Sequence, residues 1–138
     1  MSADENKALA RRFVDEVQTR GNIDAIDEFL ADDFVNHSIM PPFPADREGV
    51  KQLFTMFRNA FPDFRAVIHD QVAEGDRVVT RKTFHGTHRG EFLGIAPTGK
   101  AVTIDLIDIL SLADGKITAH WNVVDQLGLM QQLGVIPR

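Results

Sequence analysis

An aspartate at the end of an apolar run is the side chain of this sequence best suited to acid–base chemistry. Asp125 follows Trp121, Asn122, Val123 and Val124. If this run is a strand, Trp121, Val123 and Asp125 share one face, because side chains alternate with period two. On an inward face the carboxylate beside the indole ring loses water, which disfavours its charged form and suits a base acting near neutral pH. The alternative interpretation is structural, because Asp125 also stands where it can cap a following helix.

Histidines supply a second set of candidate groups. His37 precedes a proline-rich stretch, where it could donate a hydrogen bond to a substrate carbonyl as negative charge grows, or bond to the loop backbone. His85 and His88 are three residues apart, but no carboxylate or cysteine pattern completes a metal site around them. We therefore expect no metal, and we expect His88 either to line a pocket entrance or to hold its loop by a hydrogen bond.

Charged residues on two predicted strands have two interpretations. Arg81 and Asp105 can form an inward ion pair, because a charge on a pocket face is almost never buried without a partner. If it faces inward, Arg81 could instead bind a substrate carboxylate. The alternative to an inward orientation is that Arg81 and Asp105 lie on a face exposed to solvent or to another subunit. By strand alternation His120 and Asn122 lie opposite Trp121 and would face another subunit, unless a β-bulge reverses the strand.

Ten phenylalanines, one tryptophan and no tyrosine set the character of any cavity. No phenol is available as an acid or a hydrogen-bond donor, so the walls are expected to be benzyl rings. Five of the ten phenylalanines have helical core spacing, namely Phe13, Phe29, Phe54, Phe57 and Phe61. Of these, Phe57 is a candidate for both core and pocket wall. Met40 and Phe92 lie in two long connections and could cover a ligand and exclude water.

The elements that would position these residues are helices first and strands afterwards. Apolar residues recur with helical period before residue 62, and with period two after it. The predicted elements include helices over 9–17, 50–61 and 126–133, and strands over 77–87, 101–112 and 117–124. This order predicts an α+β fold with N-terminal helices packed on a curved, mainly antiparallel sheet, enclosing a pocket.

Length and composition exclude several classes of protein. The 138 residues predict a single domain, 1–138. The formal charge of −5 argues against a nucleic-acid-binding protein, which needs a basic excess. The absence of cysteine excludes disulfides and thiolate catalysis. No apolar run is long enough to span a membrane, and the acidic N-terminus does not resemble a secretory signal, so a cytoplasmic location is the default expectation.

Four segments together resemble the SnoaL-like polyketide cyclases, also called ester cyclases. They are 33–37, then 81–92 with its Gly-Thr-His, 94–100 with the pattern G-x-x-P-T-G-K, and 114–125 with the pattern DGKI…HW…D. The resemblance implies an NTF2-like, ketosteroid-isomerase-like cone-shaped α+β barrel. It also implies a homodimer or homotetramer built through the sheet, a hydrophobic small-molecule ligand, and catalysis without a cofactor.

The resemblance further implies intramolecular aldol condensation that closes a polyketide ring. It assigns the acid–base role to the aspartate that Asp125 matches, with His37 as a helper donor. In this hypothesis Asp125 and His37 are catalytic, and the substrate-binding residues are Arg81, His88, Phe92, Asp105, Trp121, Phe57 and Met40.

Two other functions stay open at this point. One is a non-catalytic NTF2-like protein that binds a small molecule, since fold does not decide function. The other is an epoxide-hydrolase-like enzyme in which Asp125, Arg81 and Asp105 activate water. An apolar cavity with one aspartate would favour carbon-acid chemistry, whereas a charged triad would favour hydrolysis. Steroid isomerisation through a tyrosine donor is disfavoured, because the chain has no tyrosine.

Overall fold

The computed structural model describes residues 1–137 and shows α-helices packed with a single five-stranded sheet. The helices are α1 Ala3–Phe13, α2 Ile26–Phe29, α3 Arg47–Ala60 and α4 Gln126–Leu133. A π-helical turn, Val14–Thr19, continues α1, and a 3-10 turn, Ile23–Ala25, leads into α2. The strands are β1 Leu30–Asn36, β2 Arg65–Glu74, β3 Arg77–Thr87, β4 Ala101–Ala113 and β5 Lys116–Val124.

Polar side chains cap the N-termini of α1 and α3. The Ser2 hydroxyl accepts a hydrogen bond from the Glu5 backbone, and the Glu5 carboxylate accepts one from the Ser2 backbone, so α1 begins with a capping box. The Asp46 carboxylate caps α3 by accepting from the Gly49 N–H at 3.1 Å. Helix α3 ends shortly before Pro62, because proline disfavours helical backbone in the residue before it.

These helices are short. The longest of those described, α3, has 14 residues. Within residues 1–137 no helix combines the length and the apolar character needed to cross a membrane. The cytoplasmic location stays a prediction.

The strands form one mixed sheet in the order β1-β5-β4-β3-β2. Strand β1 runs parallel to β5, and the other neighbours are antiparallel. The prediction of an α+β fold with a mainly antiparallel sheet is confirmed. Strands β1 and β2 are the two edges and do not pair, so the sheet is not closed into a barrel and the helices cover its inner face.

Alternation along β3 and β4 decides which face of the sheet packs against the helices. The buried positions in β4 are every second residue, namely Val102, Ile104, Leu106, Asp108 and Leu110. In β3 Lys82 and Phe84 are buried, whereas Arg81 is exposed, as is Asp105 in β4. The expectation that Arg81 and Asp105 face inward is therefore wrong, since the apolar positions on the other face form the core.

A β-bulge in β5 shifts its alternation by one residue. Leu112 pairs with Ile117, and Ser111 pairs with Ala119, so Thr118 is the extra residue. Because Ile117 is buried, regular alternation would carry every second residue after it to the inner face. Because of the bulge, His120, Asn122 and Val124 face inward instead.

Beyond the bulge, His120 and Asn122 face the helices. Val123 is 79% exposed, and Trp121 lies on the same outer face. The predicted inward face of Trp121, Val123 and Asp125 is therefore wrong, and so is the expectation that His120 and Asn122 face another subunit. Strand β5 thus contains the β-bulge that is the alternative to regular alternation.

The connection 88–100 between β3 and β4 is tied down at both ends. The backbone N–H of Gly90 donates to the Ala60 carbonyl at 3.0 Å, which attaches the loop to the end of α3. The backbone N–H of His88 donates to the Lys100 carbonyl at 2.9 Å and closes the base of the loop. The loop therefore has a fixed conformation, and it reaches the cavity between the helices and the sheet.

Candidate active site

A cavity of about 120 Å³ lies between the helices and the inner face of the sheet. Residues from α1, α3, α4, β1, β3, β4 and β5 line it, together with the loops after β1 and β3. Its lining includes the exposed residues Ser38, Leu93 and Gln126, so the cavity opens to solvent. One part of the lining is aromatic and another is polar.

We call the aromatic part the aromatic wall; it consists of Phe13, Phe34, Phe54, Phe57, Phe84 and Phe92. Phe57 stacks on Phe92 with ring centroids 5.9 Å apart, and on Phe64 behind the wall at 5.2 Å. Such offset and tilted contacts are favourable for aromatic rings and fix their orientation. Three residues predicted to contact a ligand, Phe57, Phe92 and Met40, lie in the lining.

The polar part, which we call the polar cluster, consists of Asn36, Asp108 and His120. Neighbouring strands bring these residues together: Asn36 in β1 lies opposite His120 in β5, and Asp108 comes from β4 on the other side. The His120 Nε2 atom is 2.7 Å from Asp108 Oδ1, and its Nδ1 atom is 2.9 Å from Asn36 Oδ1. The cluster therefore presents a histidine held on both sides.

A buried lysine stands behind the polar cluster. Lys82 forms an ion pair with Asp108, and its Nζ atom donates to Gln18 Oε1 at 2.9 Å. Both charged side chains are buried, at 3% and 5% exposure. Burial by itself raises the pKa of Asp108, but the positive charge of Lys82 and the hydrogen bond from His120 outweigh it and lower the pKa to about 2. Asp108 is therefore a carboxylate at every pH near neutrality.

Each nitrogen of the His120 ring faces an oxygen that accepts hydrogen bonds. One is the Asp108 carboxylate, and the other is the Asn36 side-chain carbonyl, which also accepts from the Ser38 backbone N–H at 3.0 Å. That third contact assigns the orientation of the Asn36 amide. The surroundings of His120 can thus hold a proton on both ring nitrogens, which is the state a histidine reaches after it accepts a proton.

No metal site accompanies this cluster. Within residues 1–137 no three histidine, aspartate or glutamate side chains are grouped so that they could hold a metal ion. The chemistry available at the cavity is that of an imidazole, a carboxylate and side-chain amides.

Comparison with known proteins decides the family. A family model described as SnoaL-like polyketide cyclase matches residues 8–133. The chain belongs to this family. The match spans the helices, the sheet and the whole polar cluster, so the family predicted from the sequence motifs is confirmed.

Two curated relatives are named as ester cyclases. Aklanonic acid methyl ester cyclase DnrD from Streptomyces peucetius is 29% identical over 129 residues, covering 91% of this chain and 88% of that protein. Nogalonic acid methyl ester cyclase from Streptomyces nogalater is 25% identical over 116 residues, covering 83% of this chain and 87% of that protein. Their names support the prediction that this SnoaL-like chain is an enzyme of the cyclase type.

Solved structures of two other proteins support the fold. TsrD from Streptomyces laurentii superposes with a TM-score of 0.89 at 29% identity and covers 99% of both chains. A SnoaL-like polyketide cyclase from Agrobacterium tumefaciens superposes with a TM-score of 0.78 over 97% of this chain, and at 20% identity that match concerns the fold alone. The predicted fold of this SnoaL-like chain is thus confirmed by both matches.

Asp125, the residue expected to be the acid–base, does not line the cavity of this SnoaL-like protein. Its side chain is exposed, and Oδ1 accepts a hydrogen bond from the Gly128 N–H at 2.9 Å. Asp125 is the N-cap of α4, which is the structural alternative weighed for it. The Asp125 carboxylate is not desolvated as expected, because the bulge in β5 turns Trp121, Val123 and Asp125 outward.

His37 and Trp121 also lie outside the cavity. Their rings stack on the outer side of the sheet with centroids 4.7 Å apart and planes 5° apart. The Arg77 guanidinium lies 4.9 Å above the Trp121 ring on the same side. His37 is exposed and belongs to this stack of aromatic rings and a guanidinium group. The expectation that it lies at the cavity is wrong.

Arg81 and Asp105 do not pair with each other. Arg81 binds Asp70 through two nitrogens at 3.0 to 3.3 Å on the exposed face, and Asp105 accepts from the Thr83 hydroxyl at 2.7 Å. The triad of Asp125, Arg81 and Asp105 is therefore not assembled. The residue set on which the hydrolase alternative depended is absent from the cavity.

His88 holds its own loop. The ring is fully buried, and Nδ1 lies 3.0 Å from Thr98 Oγ1 and accepts from the Thr98 backbone N–H at 3.2 Å. His88 is not part of the cavity lining. Of the two roles expected for it, the structure shows the hydrogen bond that shapes the loop.

Sequence reasoning missed the residues that the fold brings together at the polar cluster. Asp108 and Lys82 interrupt apolar alternation in β4 and β3, and this interruption was the available signal. A charge at a position whose neighbours two residues away are apolar lies inside and needs a partner. Asn36 and His120 carried no comparable signal, because the sequence does not show where β5 contains its bulge and therefore which of its faces is inner.

Proposed function

We propose that this chain is a cofactor-independent cyclase in which the His120–Asp108 pair removes a proton from a carbon next to a carbonyl. The observation that carries the proposal is a histidine at the polar end of a largely aromatic and aliphatic cavity, held at one ring nitrogen by the Asp108 carboxylate and at the other by the Asn36 carbonyl. Membership of the SnoaL-like family supports the reaction class, and the geometry of the polar cluster supports the choice of residues.

In the proposed first step, neutral His120 carries its proton on Nε2 towards Asp108, the bound substrate displaces the Asn36 carbonyl from Nδ1, and Nδ1 accepts the substrate proton. The electrons of the C–H bond form an enolate, and the ring becomes an imidazolium ion. The carboxylate of Asp108 stabilises that ion through the proton on Nε2. Such a group favours the charged state that the step creates over the neutral state before it.

In the second step the enolate carbon attacks a carbonyl carbon of the same molecule. A C–C bond forms and the ring closes, while the carbonyl π electrons move to oxygen. The resulting alkoxide takes a proton from Nδ1 of His120, which returns the histidine to its starting state. Atoms and charges balance without an external reagent.

Asp108 has a supporting role in this scheme. A pKa of about 2 makes it a weak base near neutral pH. It instead keeps the proton on Nε2 and orients the ring, as a carboxylate next to a catalytic histidine generally does. Lys82 maintains the charge of Asp108 from behind.

Amide side chains are proposed to stabilise the enolate. Asn122 and Gln126 line the cavity near the end of β5, and their N–H groups are neutral donors. Donors fixed before the reaction stabilise developing negative charge at an oxygen. No tyrosine is available for this role, so amides replace the phenol that the composition excludes.

For the substrate we propose the methyl ester of an aromatic polyketide acid. The two curated relatives carry such substrates in their names, aklanonic and nogalonic acid methyl esters. The aromatic wall offers stacking surfaces to a planar ring system. A bound ring system would displace free water from the part of the cavity where the enolate forms.

The decisive experiment incubates the purified chain with aklanonic acid methyl ester and follows a cyclised product of equal mass by chromatography with mass spectrometry. We expect turnover by the natural chain and a loss of about 100-fold or more in His120→Gln. Asp125→Asn is the matched control, because asparagine also caps helices and the side chain lies outside the cavity. Full activity of His120→Gln would overturn the assignment of His120 as the base, and inactivity of Asp125→Asn would contradict the purely structural role given to Asp125.

We also propose a homodimer assembled through the outer face of the sheet. This face carries exposed apolar side chains, among them Val67, Val72, Ile107 and Val123. Contiguous exposed apolar surface is typical of protein–protein contact sites. A second copy of the chain could cover it, as the family resemblance implies.

A further inference from the structure

An unusual backbone conformation marks the tip of the loop 88–100. Leu93 has φ = +50°, and Gly94 beside it has φ = +81°. Positive φ is unfavourable for a residue with a Cβ atom, and asparagine and aspartate are the residues that best tolerate it after glycine. Among residues 1–137, Asp114 is the other non-glycine residue with positive φ. Leucine lacks the short polar side chain that eases this conformation.

The turn itself does not require a leucine. The backbones of Phe92 and Ile95 exchange hydrogen bonds of 3.0 and 2.8 Å across Leu93 and Gly94. A two-residue turn with positive φ at both central positions favours Asn-Gly or Gly-Gly. The leucine side chain therefore has a role that the backbone geometry does not explain, and residues kept in such conformations concentrate at functional sites.

The leucine side chain lies at the rim of the cavity. Leu93 belongs to the cavity lining although it is 45% exposed. Phe92 on one side of it is buried and packs against Phe61 and Phe57, with ring centroids at 5.3 and 5.9 Å. These contacts and the bond from Gly90 to the end of α3 hold the rim in place. Leu93 is thus a fixed apolar surface next to the opening.

The size of the cavity explains why a fixed rim matters. Its volume of about 120 Å³ is below the roughly 300–1,000 Å³ that enclose a drug-sized ligand. A polycyclic molecule with its reacting carbon at His120 must therefore extend through the opening. The part that leaves the cavity passes over the rim.

We infer that Leu93 is a specificity-determining residue whose side chain covers the apolar outer part of the bound substrate. The inference rests on the proposed function, because it takes the cavity as the substrate site. The strained conformation persists because the leucine side chain at this position contributes to ligand binding.

A matched pair of substitutions tests this role. Asp114 and Gly115 form a second turn with φ values of +52° and +76°, between β4 and β5 and outside the cavity lining. Leu93→Asn and Asp114→Asn each create an Asn-Gly turn, so both keep the backbone conformation. The binding of aklanonic acid methyl ester is measured by calorimetry in a His120→Gln background, in which the ester is not consumed during the titration. The binding of the apolar dye anilinonaphthalene sulfonate is measured by fluorescence, and stability by thermal unfolding.

We expect Leu93→Asn to unfold at the natural temperature or above it, yet to bind both probes about tenfold more weakly. Asp114→Asn should bind them with natural affinity, and Leu93→Met should retain most of the affinity, because it keeps an apolar side chain of similar size. Natural affinity in Leu93→Asn would overturn the inference, as would a natural chain that binds neither probe. A natural chain that binds the ester without cyclising it would contradict the proposed function and leave the binding comparison intact.

Discussion

Lys82 and Asp108 are the buried lysine and aspartate among residues 1–137. Two charges taken out of water need each other and further hydrogen bonds, which Gln18 and His120 supply. The Lys82 ammonium also lies 5.2 Å from the Phe84 ring centroid. This arrangement places a permanent negative charge next to the histidine of the cavity.

Replacing Lys82 by methionine should strongly destabilise the fold. The substitution keeps an apolar stem of similar length but leaves the Asp108 carboxylate buried without its partner. We expect a loss of about 3 to 5 kcal/mol in the free energy of unfolding, measured by urea denaturation. Activity on the ester should also fall and its pH profile should shift, because the charge that orients His120 is no longer maintained.

The exposed pair of Arg81 and Asp70 provides the control for this prediction. Both side chains are more than half exposed, so water screens their attraction. Arg81→Met should change the free energy of unfolding by about 1 kcal/mol or less. Equal effects of Lys82→Met and Arg81→Met would contradict the importance given to the buried pair.

Acid should remove the stabilisation that the buried carboxylate provides. The pKa of Asp108 is about 2 in the folded chain and near 3.8 when unfolded, so protons bind more tightly to the unfolded state. The stabilisation is therefore complete above about pH 4 and is lost as the pH falls towards 2, amounting to about 2 kcal/mol. Urea titrations between pH 6 and 2 should show this loss in the natural chain and a smaller one in Asp108→Asn.

At the scale of elements, one extra residue in β5 decides the chemistry of the cavity. Thr118 occupies the bulge, and its hydroxyl donates to the Ser111 carbonyl at 3.2 Å. The bulge brings His120 beside Asp108, whereas a regular strand would direct Trp121 inward. A shift of one residue exchanges the two faces of a strand.

Deleting Thr118 should therefore abolish the site and most of the stability. Closing the bulge would force either the buried Ile117 or the inward His120 and Asn122 onto the wrong face. We expect a loss of about 3 kcal/mol or more in the free energy of unfolding. Circular dichroism during urea denaturation measures it.

A one-residue deletion in the loop 88–100 controls for the effect of shortening the chain. Ala96 is exposed and lies outside the strands, where chains tolerate insertions and deletions better. Its deletion should cost clearly less stability than that of Thr118. A chain that tolerates the Thr118 deletion as well as the Ala96 deletion would contradict the role assigned to the bulge.

At the scale of the molecule, the outer face of the sheet decides the proposed assembly. Ile107 is 46% exposed in β4, which is the middle strand of the sheet. Ile107→Asp should convert the proposed dimer to a monomer, because an aspartate there would be desolvated in the contact. Light scattering after size-exclusion chromatography measures the mass. Leu127→Asp is the control, since Leu127 is 58% exposed on α4 and should leave the mass unchanged.

Much of the molecule follows from local patterns in the sequence. The predicted strand over 77–87 and the final helix over 126–133 agree with β3 and α4 to the residue. Periodicity and caps act over a few neighbouring residues, so they can be interpreted without knowledge of the fold. The motifs 94–100 and 114–125 likewise led to the SnoaL-like family, which the family match confirms.

The tertiary structure alone decided which residues meet in the cavity. Asp125 and His120 are five positions apart, and alternation makes them members of opposite faces, but only the bulge at Thr118 determines which face is inner. Asn36 and Asp108 reach His120 because β1 and β4 flank β5, a pairing between segments far apart in the chain. Side-chain alternation is a local property of the backbone, whereas strand order and register depend on packing across the whole sheet.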